Sequence, residues 1–231
     1  MPTPPQPEIE GIILVDKPVG KTSFSLVGAL RRRLGVRKIG HAGTLDPFAT
    51  GLMVMLVGKK YTRMSDQFLC SDKEYVARLH LGVTTDTFDC EGQTTAQSEI
   101  QPSLSELQAA LACFQGDLLQ VPPMFSAKKI NGQKLYDLAR KGKVVERQPV
   151  KVNVALQLLS YAYPFVDIQV ACSKGTYIRS LAYDIGLKLG CGAHVAELKR
   201  TRSGDFHLAD SVNGALLQAP EVDIAQFLIK R

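Results

Sequence analysis

The chain has 231 residues, of which 45% are apolar and 22% charged, and a formal net charge of +6. This composition is typical of a globular protein with a substantial core. No apolar run approaches the roughly 20 residues of a membrane helix, and the start, MPTPPQPEIE, lacks the regions of a signal peptide. The five cysteines form no CxxC pair, so free thiols in a reducing cytoplasm are expected rather than a zinc site.

The positive charge is concentrated in one stretch. Residues 128–151 contain eight lysines and arginines and two acids, whereas the rest of the chain has equal numbers of basic and acidic residues. Such a local excess favours an anionic partner, above all nucleic acid. The alternative is an ordinary solvated face rich in lysine.

The first elements follow a short lead-in, 1–10, that is predicted to be disordered. Gly11 to Val15 is an apolar run typical of a buried strand. Thr22 or Ser23 is predicted to begin a helix that ends at Gly35 and has apolar residues at 24, 27, 30 and 34. The GKT text at 20–22 does not indicate a phosphate-binding loop, because the glycine required five residues earlier is absent.

A loop is predicted over GHAGTLDPFATG, Gly40 to Gly51, because its glycines and proline disrupt any helical or strand period. Asp46 precedes Pro47 and is therefore expected in extended geometry. Apolar segments flank the loop, and catalytic groups are often carried on loops held in this way. The alternative is a surface loop in which Asp46 makes an Asx-turn.

The middle of the chain predicts a strand over 52–57, a helix over 60–69 and a strand over 73–82. On the last strand Tyr75 shares a face with apolar residues and with Lys73, so it could simply be a core tyrosine. Acids at 86 and 89 begin a turn-rich connection, but they lack the glycine and basic neighbours that frame Asp46.

A capping box of Ser103 and Glu106 predicts a helix that ends at Gly116, with buried residues at 104, 107, 111 and 114. A short helix is predicted over 133–141, and alternation predicts strands over 150–158 and 166–172.

The last predicted elements include a helix that begins near Tyr177. Arg179 lies in its first turn, where a cation opposes the helix dipole, so Arg179 is expected to have a carboxylate partner. Residues 210–218 predict one further helix, and the apolar spacing of 222–229 predicts a tail that docks on the protein body.

Several segments together resemble the motifs of the TruB family of tRNA pseudouridine synthases. The resemblance extends from about Gly11 to Phe206 and keeps the order of the motifs. The segments are DKPVGKTSF, GHAGTLDPFATG, KEYVARLHLG, VPPMFSAKKINGQKLYDLARKGK, CSKGTYIRSLAYDIGLKL and AHVAELKRTRSGDF.

This resemblance implies an α/β (α+β) pseudouridine synthase fold, with a mixed, largely antiparallel sheet flanked by helices. It implies a catalytic domain over 11–210, with a basic, thumb-like insertion over 122–151 that clamps RNA. Residues 211–231 are then expected to form a helical C-terminal tail that is too short for a complete PUA domain.

The resemblance also assigns roles to residues. Asp46 matches the catalytic aspartate and Arg179 the arginine that pairs with it, while DKPVGKTSF matches a motif that supports the active site. The residues expected to hold the target base are His41, Tyr75, Tyr177, Arg179 and Leu198. The residues expected to contact the RNA backbone are Lys128, Lys129, Lys134 and Arg140.

The implied function is isomerisation of a uridine to pseudouridine in the T loop of tRNA, at position 55. The base is expected to flip out, and Asp46 to support cleavage and re-formation of the glycosidic bond. No cofactor, metal, membrane or protein partner is expected, and the location is expected to be cytoplasmic. The alternative is a non-catalytic RNA-binding or tRNA-folding protein with the same fold; the presence of both Asp46 and Arg179 favours the enzyme.

Overall fold

The computed structural model describes residues 9–126, 128–130 and 132–230. The fold divides into two compact units. Unit 1 comprises residues up to Lys73 together with those from Lys199 onward, and unit 2 comprises Glu74–Leu198. Most of the predicted lead-in, residues 1–8, lies outside the described residues.

The elements are numbered in chain order. The strands are β1 Gly11–Lys17, β2 Ile39–Ala42, β3 Thr50–Val57, β4 Lys73–Leu81, β5 Val83–Thr85, β6 Thr94–Gln97, β7 Gly116–Gln120, β8 Lys129–Ile130, β9 Gln133–Lys134, β10 Val150–Ala162, β11 Phe165–Cys172, β12 Ala193–Ser203, β13 Phe206–His207 and β14 Val212–Asn213. The α-helices are α1 Ser23–Leu34, α2 Gly58–Arg63, α3 Ser65–Leu69, α4 Leu104–Ala112, α5 Leu135–Ala139 and α6 Ile178–Leu189. Three 3₁₀ turns follow β13, at Leu208–Asp210, Gly214–Gln218 and Ile224–Phe227.

The sheet of unit 1 is built around β3, whose residues 52–57 are all fully buried. β3 pairs antiparallel with β1 and with β2, and parallel with the end of β12 through Lys199 and Arg200. β14 adds a parallel edge to β1. A strand that is buried on both faces has a continuous apolar sequence, which is why β3 could be predicted from the sequence.

Several predicted details of unit 1 are wrong. Phe24 is 67% exposed, because the buried face of α1 is formed by Leu26, Val27 and Leu30 instead. The single helix predicted over 60–69 is two short helices, α2 and α3, which meet at Met64. The helix predicted over 210–218 is the strand β14 between two 3₁₀ turns.

The last described residues pack on unit 1. The backbone N–H of Ile12 donates to the carbonyl of Ile229 at 2.8 Å, and the N–H of Ile229 donates back to Ile12 at 2.8 Å. Ile224 is 2% exposed. The amphipathic segment is thus tied to the edge of β1, as its apolar spacing indicates.

The sheet of unit 2 has the strand order β12-β4-β11-β10-β7. β10 pairs antiparallel with both β11 and β7. The predicted alternation is confirmed, since Val166, Ile168 and Val170 are fully buried while their neighbours on β11 are more exposed. The antiparallel pairs with a few parallel ones, and the helices beside them, make this the mixed α+β architecture that the motifs imply.

The start of α4 follows its capping signal, but the helix ends at Ala112 and not at Gly116 as predicted. The Ser103 side chain accepts from the Glu106 N–H, and the Glu106 carboxylate accepts from the Ser103 N–H, so the capping box is confirmed. Leu104 is 50% exposed, which makes its predicted burial wrong, because the buried face begins at Leu107. α5 is only five residues long, whereas the sequence predicts a helix over 133–141.

Candidate functional site

The loop that carries Asp46 is anchored by the side chain of a buried lysine. Lys17, at the end of β1, is fully buried, and its Nζ donates to the carbonyl oxygens of Pro47 at 3.1 Å, Lys21 at 2.6 Å and Pro18 at 3.1 Å. A buried ammonium is stable only when such acceptors surround it. Lys17 therefore joins the loop to the turn that precedes α1.

Ser23, the first residue of α1, makes a second anchor. Its hydroxyl donates to the Leu45 carbonyl at 3.0 Å and accepts from the Leu45 N–H at 2.9 Å. The Gly20 N–H also donates to the Pro47 carbonyl at 2.9 Å. These contacts confirm that the DKPVGKTSF segment supports the loop.

A third anchor, Arg200 on β12, was missed by the sequence analysis. Arg200 is 1% exposed, and it donates from Nε to the Leu52 carbonyl at 2.7 Å and from Nη2 to the Gly43 carbonyl at 3.2 Å. Gly51 permits this approach, because a Cβ at that position would lie 2.3 Å from the Arg200 carbonyl oxygen. No local pattern marks Arg200, since its partners lie about 150 residues earlier in the chain.

Asp46 is half-buried in a backbone turn in which the Ala49 N–H donates to the Asp46 carbonyl at 3.2 Å. Leu45 and Phe48 on either side are 4% and 8% exposed. The loop is therefore packed and fixed through its backbone, unlike a freely solvated surface loop. This geometry fixes the backbone that carries the Asp46 carboxylate.

His41 lies on β2 of the same unit, opposite Met55 of β3. Burial, and then the positive charge of Arg200, lower the pKa of the His41 imidazole. Its Nδ1 is buried and has no hydrogen-bond partner among the described residues. The imidazole is therefore neutral at pH 7.

In unit 2, Arg179 is almost completely buried at the start of α6. Its Nη1 donates to Asp89 Oδ2 at 3.1 Å and to the Thr87 carbonyl at 3.1 Å, and its Nη2 donates to the Phe125 carbonyl at 2.6 Å. The side chains of Arg179 and Asp89 are 6% and 5% exposed. Arg179 thus has a carboxylate partner, as its unfavourable place in the first turn of a helix predicts.

Asp89 is the functional residue that the sequence analysis set aside. Its Oδ1 accepts from the Thr87 hydroxyl at 2.6 Å and from the Glu91 N–H at 3.0 Å, which leaves Oδ2 directed at Arg179. The neighbouring Phe88 has a φ of 63°, a strained value for a bulky residue. The turn from 86 to 91 is therefore shaped around the Asp89 carboxylate. The pairing of Arg179 with Asp46 stays a prediction.

The remaining predicted base-binding residues of unit 2 lie on three elements. Tyr177 is the N-cap of α6, and the Gln120 side chain accepts from its N–H at 2.8 Å and donates to its carbonyl at 3.1 Å. Tyr75 is half-buried on β4, and Leu198 is 7% exposed on the neighbouring strand β12. The role of Gln120 could not be predicted from the sequence, because no motif surrounds it on β7.

The basic segment is described only in part. Arg140 is exposed just after α5, and its guanidinium lies 5.5 Å from the centre of the Tyr136 ring. Lys128 is half-buried, and its carbonyl accepts from the Leu135 N–H at 2.9 Å. The side chains of Lys129 and Lys134 lie outside the described part of the structure, so their predicted RNA contacts are not addressed by it.

Two features are absent from the described residues. No three His, Cys, Asp or Glu side chains among residues 9–126, 128–130 and 132–230 come together as metal ligands. None of the helices in that part of the chain is long and apolar enough to cross a bilayer.

Two family models match consecutive parts of the chain. Residues 31–178 match the family model described as TruB family pseudouridylate synthase, N-terminal domain. Residues 179–223 match the model described as tRNA pseudouridylate synthase B C-terminal domain.

Two curated relatives carry the same name, tRNA pseudouridine synthase B. The one from Protochlamydia amoebophila is 65% identical over 213 residues, covering 92% of this chain and 81% of the relative. The one from Chlamydia felis is 55% identical over 219 residues, covering 95% and 93%.

Among solved structures, this chain is similar to one in a Cbf5-Nop10-Gar1 complex, with 31% identity and a TM-score of 0.71. The match covers 90% of this chain and 54% of that one. A second similar chain, from an H/ACA RNP bound to a substrate RNA containing 2′-deoxyuridine, has 26% identity and a TM-score of 0.68, with coverage of 94% and 57%. This chain therefore spans little more than half the length of these structural neighbours.

Proposed function

The chain belongs to the TruB family of pseudouridylate synthases, and we propose that it converts the uridine at position 55, in the T loop of tRNA, to pseudouridine. The observation that carries the proposal is the anchored loop that presents Asp46, in a chain 65% identical to a tRNA pseudouridine synthase B over 92% of its length. The motifs that frame this loop occur in the order that the family shows.

The reaction is an isomerisation that balances without a cofactor. The N1–C1′ bond of the target uridine breaks and a C5–C1′ bond forms, while C5 loses a proton and N1 gains one. Asp46 supplies the carboxylate. It acts as a nucleophile at the sugar or the ring, or as a base, and the residues alone leave these routes open.

Asp46 must stay ionised in a closed site, and Arg179 is the group proposed to keep it so by its positive charge. Asp89 is then a positioning residue. It fixes one side of the Arg179 guanidinium by the 3.1 Å ion pair, while the Thr87 and Phe125 carbonyls fix its plane. A planar guanidinium held at several points has one orientation in which it can meet a second carboxylate.

The target base must leave its stack at a cost of a few kcal/mol. Tyr75 is proposed to stack on the flipped base, which offsets about 1–3 kcal/mol of this cost. Tyr177 and Leu198 complete the apolar walls. The neutral His41 is proposed to meet the base through a ring nitrogen, because burial and Arg200 disfavour its protonated form.

The rest of the T stem-loop is proposed to lie against the basic insertion, with Lys128, Lys129, Lys134 and Arg140 on its phosphates. Arg140 supports this role because it is exposed and pre-ordered over Tyr136. The protein is proposed to work in the cytoplasm without a cofactor, metal or protein partner.

The test is to incubate the purified protein with an unmodified tRNA transcript, without added cofactor, and to map pseudouridine at single-nucleotide resolution. Modification at position 55 alone is expected. Asp46→Asn is expected to lower turnover by at least about a thousandfold, because it removes the reacting group, while tRNA affinity stays within about threefold because the charges that contact phosphate remain.

The matched control is Asp66→Asn, at an exposed aspartate of α3 in the same unit, which should leave turnover unchanged. Tight binding without pseudouridine in the wild-type protein would support the alternative, an RNA-folding protein. Near wild-type turnover by Asp46→Asn would overturn the assignment of Asp46.

A further inference from the structure

A larger excess of positive charge lies outside the basic insertion. Residues 18–64 contain nine lysines and arginines and a single acid, Asp46, an excess of eight charges. The excess in 128–151 is six. The residues outside 128–151 are therefore neutral only as a total, because acids elsewhere in the chain offset the positive charge of residues 18–64.

The fold gathers most of these cations at one place on unit 1. Arg31 Nη2 donates to the Ile39 carbonyl at 3.2 Å, which brings the end of α1 against the start of β2. The Gly58 N–H donates to the Lys38 carbonyl at 2.8 Å, which brings the start of α2 to the same turn. The exposed cations so assembled are called the basic corner: Arg31, Arg32, Arg37, Lys38, Lys59 and Lys60.

The basic corner lacks counter-ions in the part of the chain that the structure describes. Among the described residues, no carboxylate lies within 4.0 Å of any of its six charged groups. Arg33, by contrast, points the other way and donates to the carbonyls of Ala219 and Val222. The unpaired charges therefore share one exposed surface.

Helix electrostatics explain only part of this surface. Cations in the last turn of α1 are favoured by the helix dipole, which accounts for Arg31 and Arg32. Arg37 and Lys38 lie beyond that helix, and Lys59 lies in the first turn of α2, where the dipole disfavours it. The dipole therefore accounts for only some of the cations in the corner.

The basic corner also has a shape suited to an anionic group. Arg31 and Arg37, with Gly35 and Val36, line an open recess of about 330 Å³. The Arg31 guanidinium lies 5.8 Å from the centre of the Phe24 ring, in addition to its bond to β2. Ordering before binding lowers the entropy lost when a ligand binds.

We propose that the basic corner binds the sugar–phosphate backbone of the tRNA body outside the T stem-loop. The inference rests on the proposed function, which places the target uridine at Asp46. α1 begins at Ser23, which holds the Asp46 loop, and its 12 residues extend about 18 Å to the corner. The end of the corner at Arg31 and Arg32 is therefore far enough from the Asp46 loop to contact nucleotides other than the target uridine.

The test compares Arg32→Ala/Arg37→Ala with the control Lys188→Ala/Lys230→Ala, which removes the same charge from exposed sites elsewhere. Affinity and kcat/KM are measured on full-length tRNA and on the isolated T stem-loop, across a series of salt concentrations. On tRNA, loss of two phosphate contacts should flatten the logarithmic salt slope of the affinity by roughly 1.4–1.8 and lower kcat/KM roughly fivefold. On the stem-loop both quantities should stay within about 1.5-fold of wild type.

Other results overturn the inference. Equal losses on both RNAs would place the contact on the T arm, and no loss on tRNA would make the corner a solvated surface. An equal loss in the control pair would assign the effect to overall charge. If the wild-type protein modifies neither RNA, the proposed function fails, but the salt slope of tRNA binding still decides the role of the corner.

Discussion

The two units hold their key side chains in opposite ways. In unit 1, the buried donors Lys17, Ser23 and Arg200 grip the backbone of a loop, and the Asp46 carboxylate is carried along with that backbone. In unit 2, backbone carbonyls and Asp89 grip the Arg179 side chain directly. Loss of an anchor should therefore shift the loop in unit 1, whereas in unit 2 it should remove a direct ion-pair partner of the buried Arg179 side chain.

The largest effect on folding stability is expected from the Arg179 cluster. Asp89→Asn keeps the shape of the side chain but removes the counter-ion of a buried guanidinium, which typically costs about 3–5 kcal/mol of folding stability. The free energy of unfolding in urea measures this. Turnover should fall by about a hundredfold, because Arg179 loses its fixed orientation.

The control for this prediction is Asp167→Asn in the same unit. Asp167 pairs with Arg78 at 2.8 Å, but the two side chains are 22% and 42% exposed. Such a solvated pair contributes about 1 kcal/mol or less. A loss of stability as small for Asp89→Asn as for Asp167→Asn would show that the Arg179 pair is not the anchor.

The loop anchors should give the next effect. Lys17→Met fills the same space but leaves the carbonyls of Pro18, Lys21 and Pro47 without their buried donor, which should cost about 2–4 kcal/mol of folding stability. The thermal midpoint and kcat should fall together, because the same loop carries Asp46. Lys21→Met, at an exposed lysine four residues later, is the matched control and should change neither.

A smaller effect, confined to substrate, is expected at Tyr75. Tyr75→Leu removes the aromatic face and should weaken T stem-loop binding by about 1–3 kcal/mol. Tyr75→Phe keeps that face and should bind within a few-fold of wild type. If titration with the T stem-loop gives equal affinities for the Leu and Phe variants, Tyr75 does not stack on the base and is a core tyrosine.

The smallest effect concerns His41 and pH. Burial and the charge of Arg200 lower the folded pKa of His41 below its usual value of 6.5. The unfolded chain therefore takes up the proton first as pH falls, so the contribution of His41 to stability is present above pH 6.5 and is lost below it. The thermal midpoint should drop between pH 7.5 and 5.5, and it should drop less in His41→Asn. An identical drop in both proteins would mean that His41 is not the group that titrates.

The sequence by itself determined the family and much of the local structure. The motif order predicted a TruB-type pseudouridine synthase, and the family models and curated relatives confirm it. The capping box at Ser103, the alternation of β11 and the buried run of β3 were also readable. These features depend on residues a few positions apart, whose spacing follows from backbone geometry alone.

Only the tertiary structure decided which partners the buried polar groups have. Arg179 bonds to Asp89, 90 residues away, and Arg200 bonds to Leu52, 148 residues away. A sequence pattern can indicate that a charged side chain will be buried. Its counter-ion, however, depends on which distant segment the fold places beside it.

The same limit applies to surfaces. The apolar spacing of α1 predicted burial for Phe24, yet that ring is exposed because no other element covers its side of the helix. The cations at 31–38 are visible in the sequence, where they fit either a helix end or a phosphate contact. Only the fold adds Lys59 and Lys60 to them, through the bond between Gly58 and Lys38. A net charge counted over a stretch of sequence takes no account of where its residues lie in the fold. An electrostatic field, by contrast, depends on distances in space.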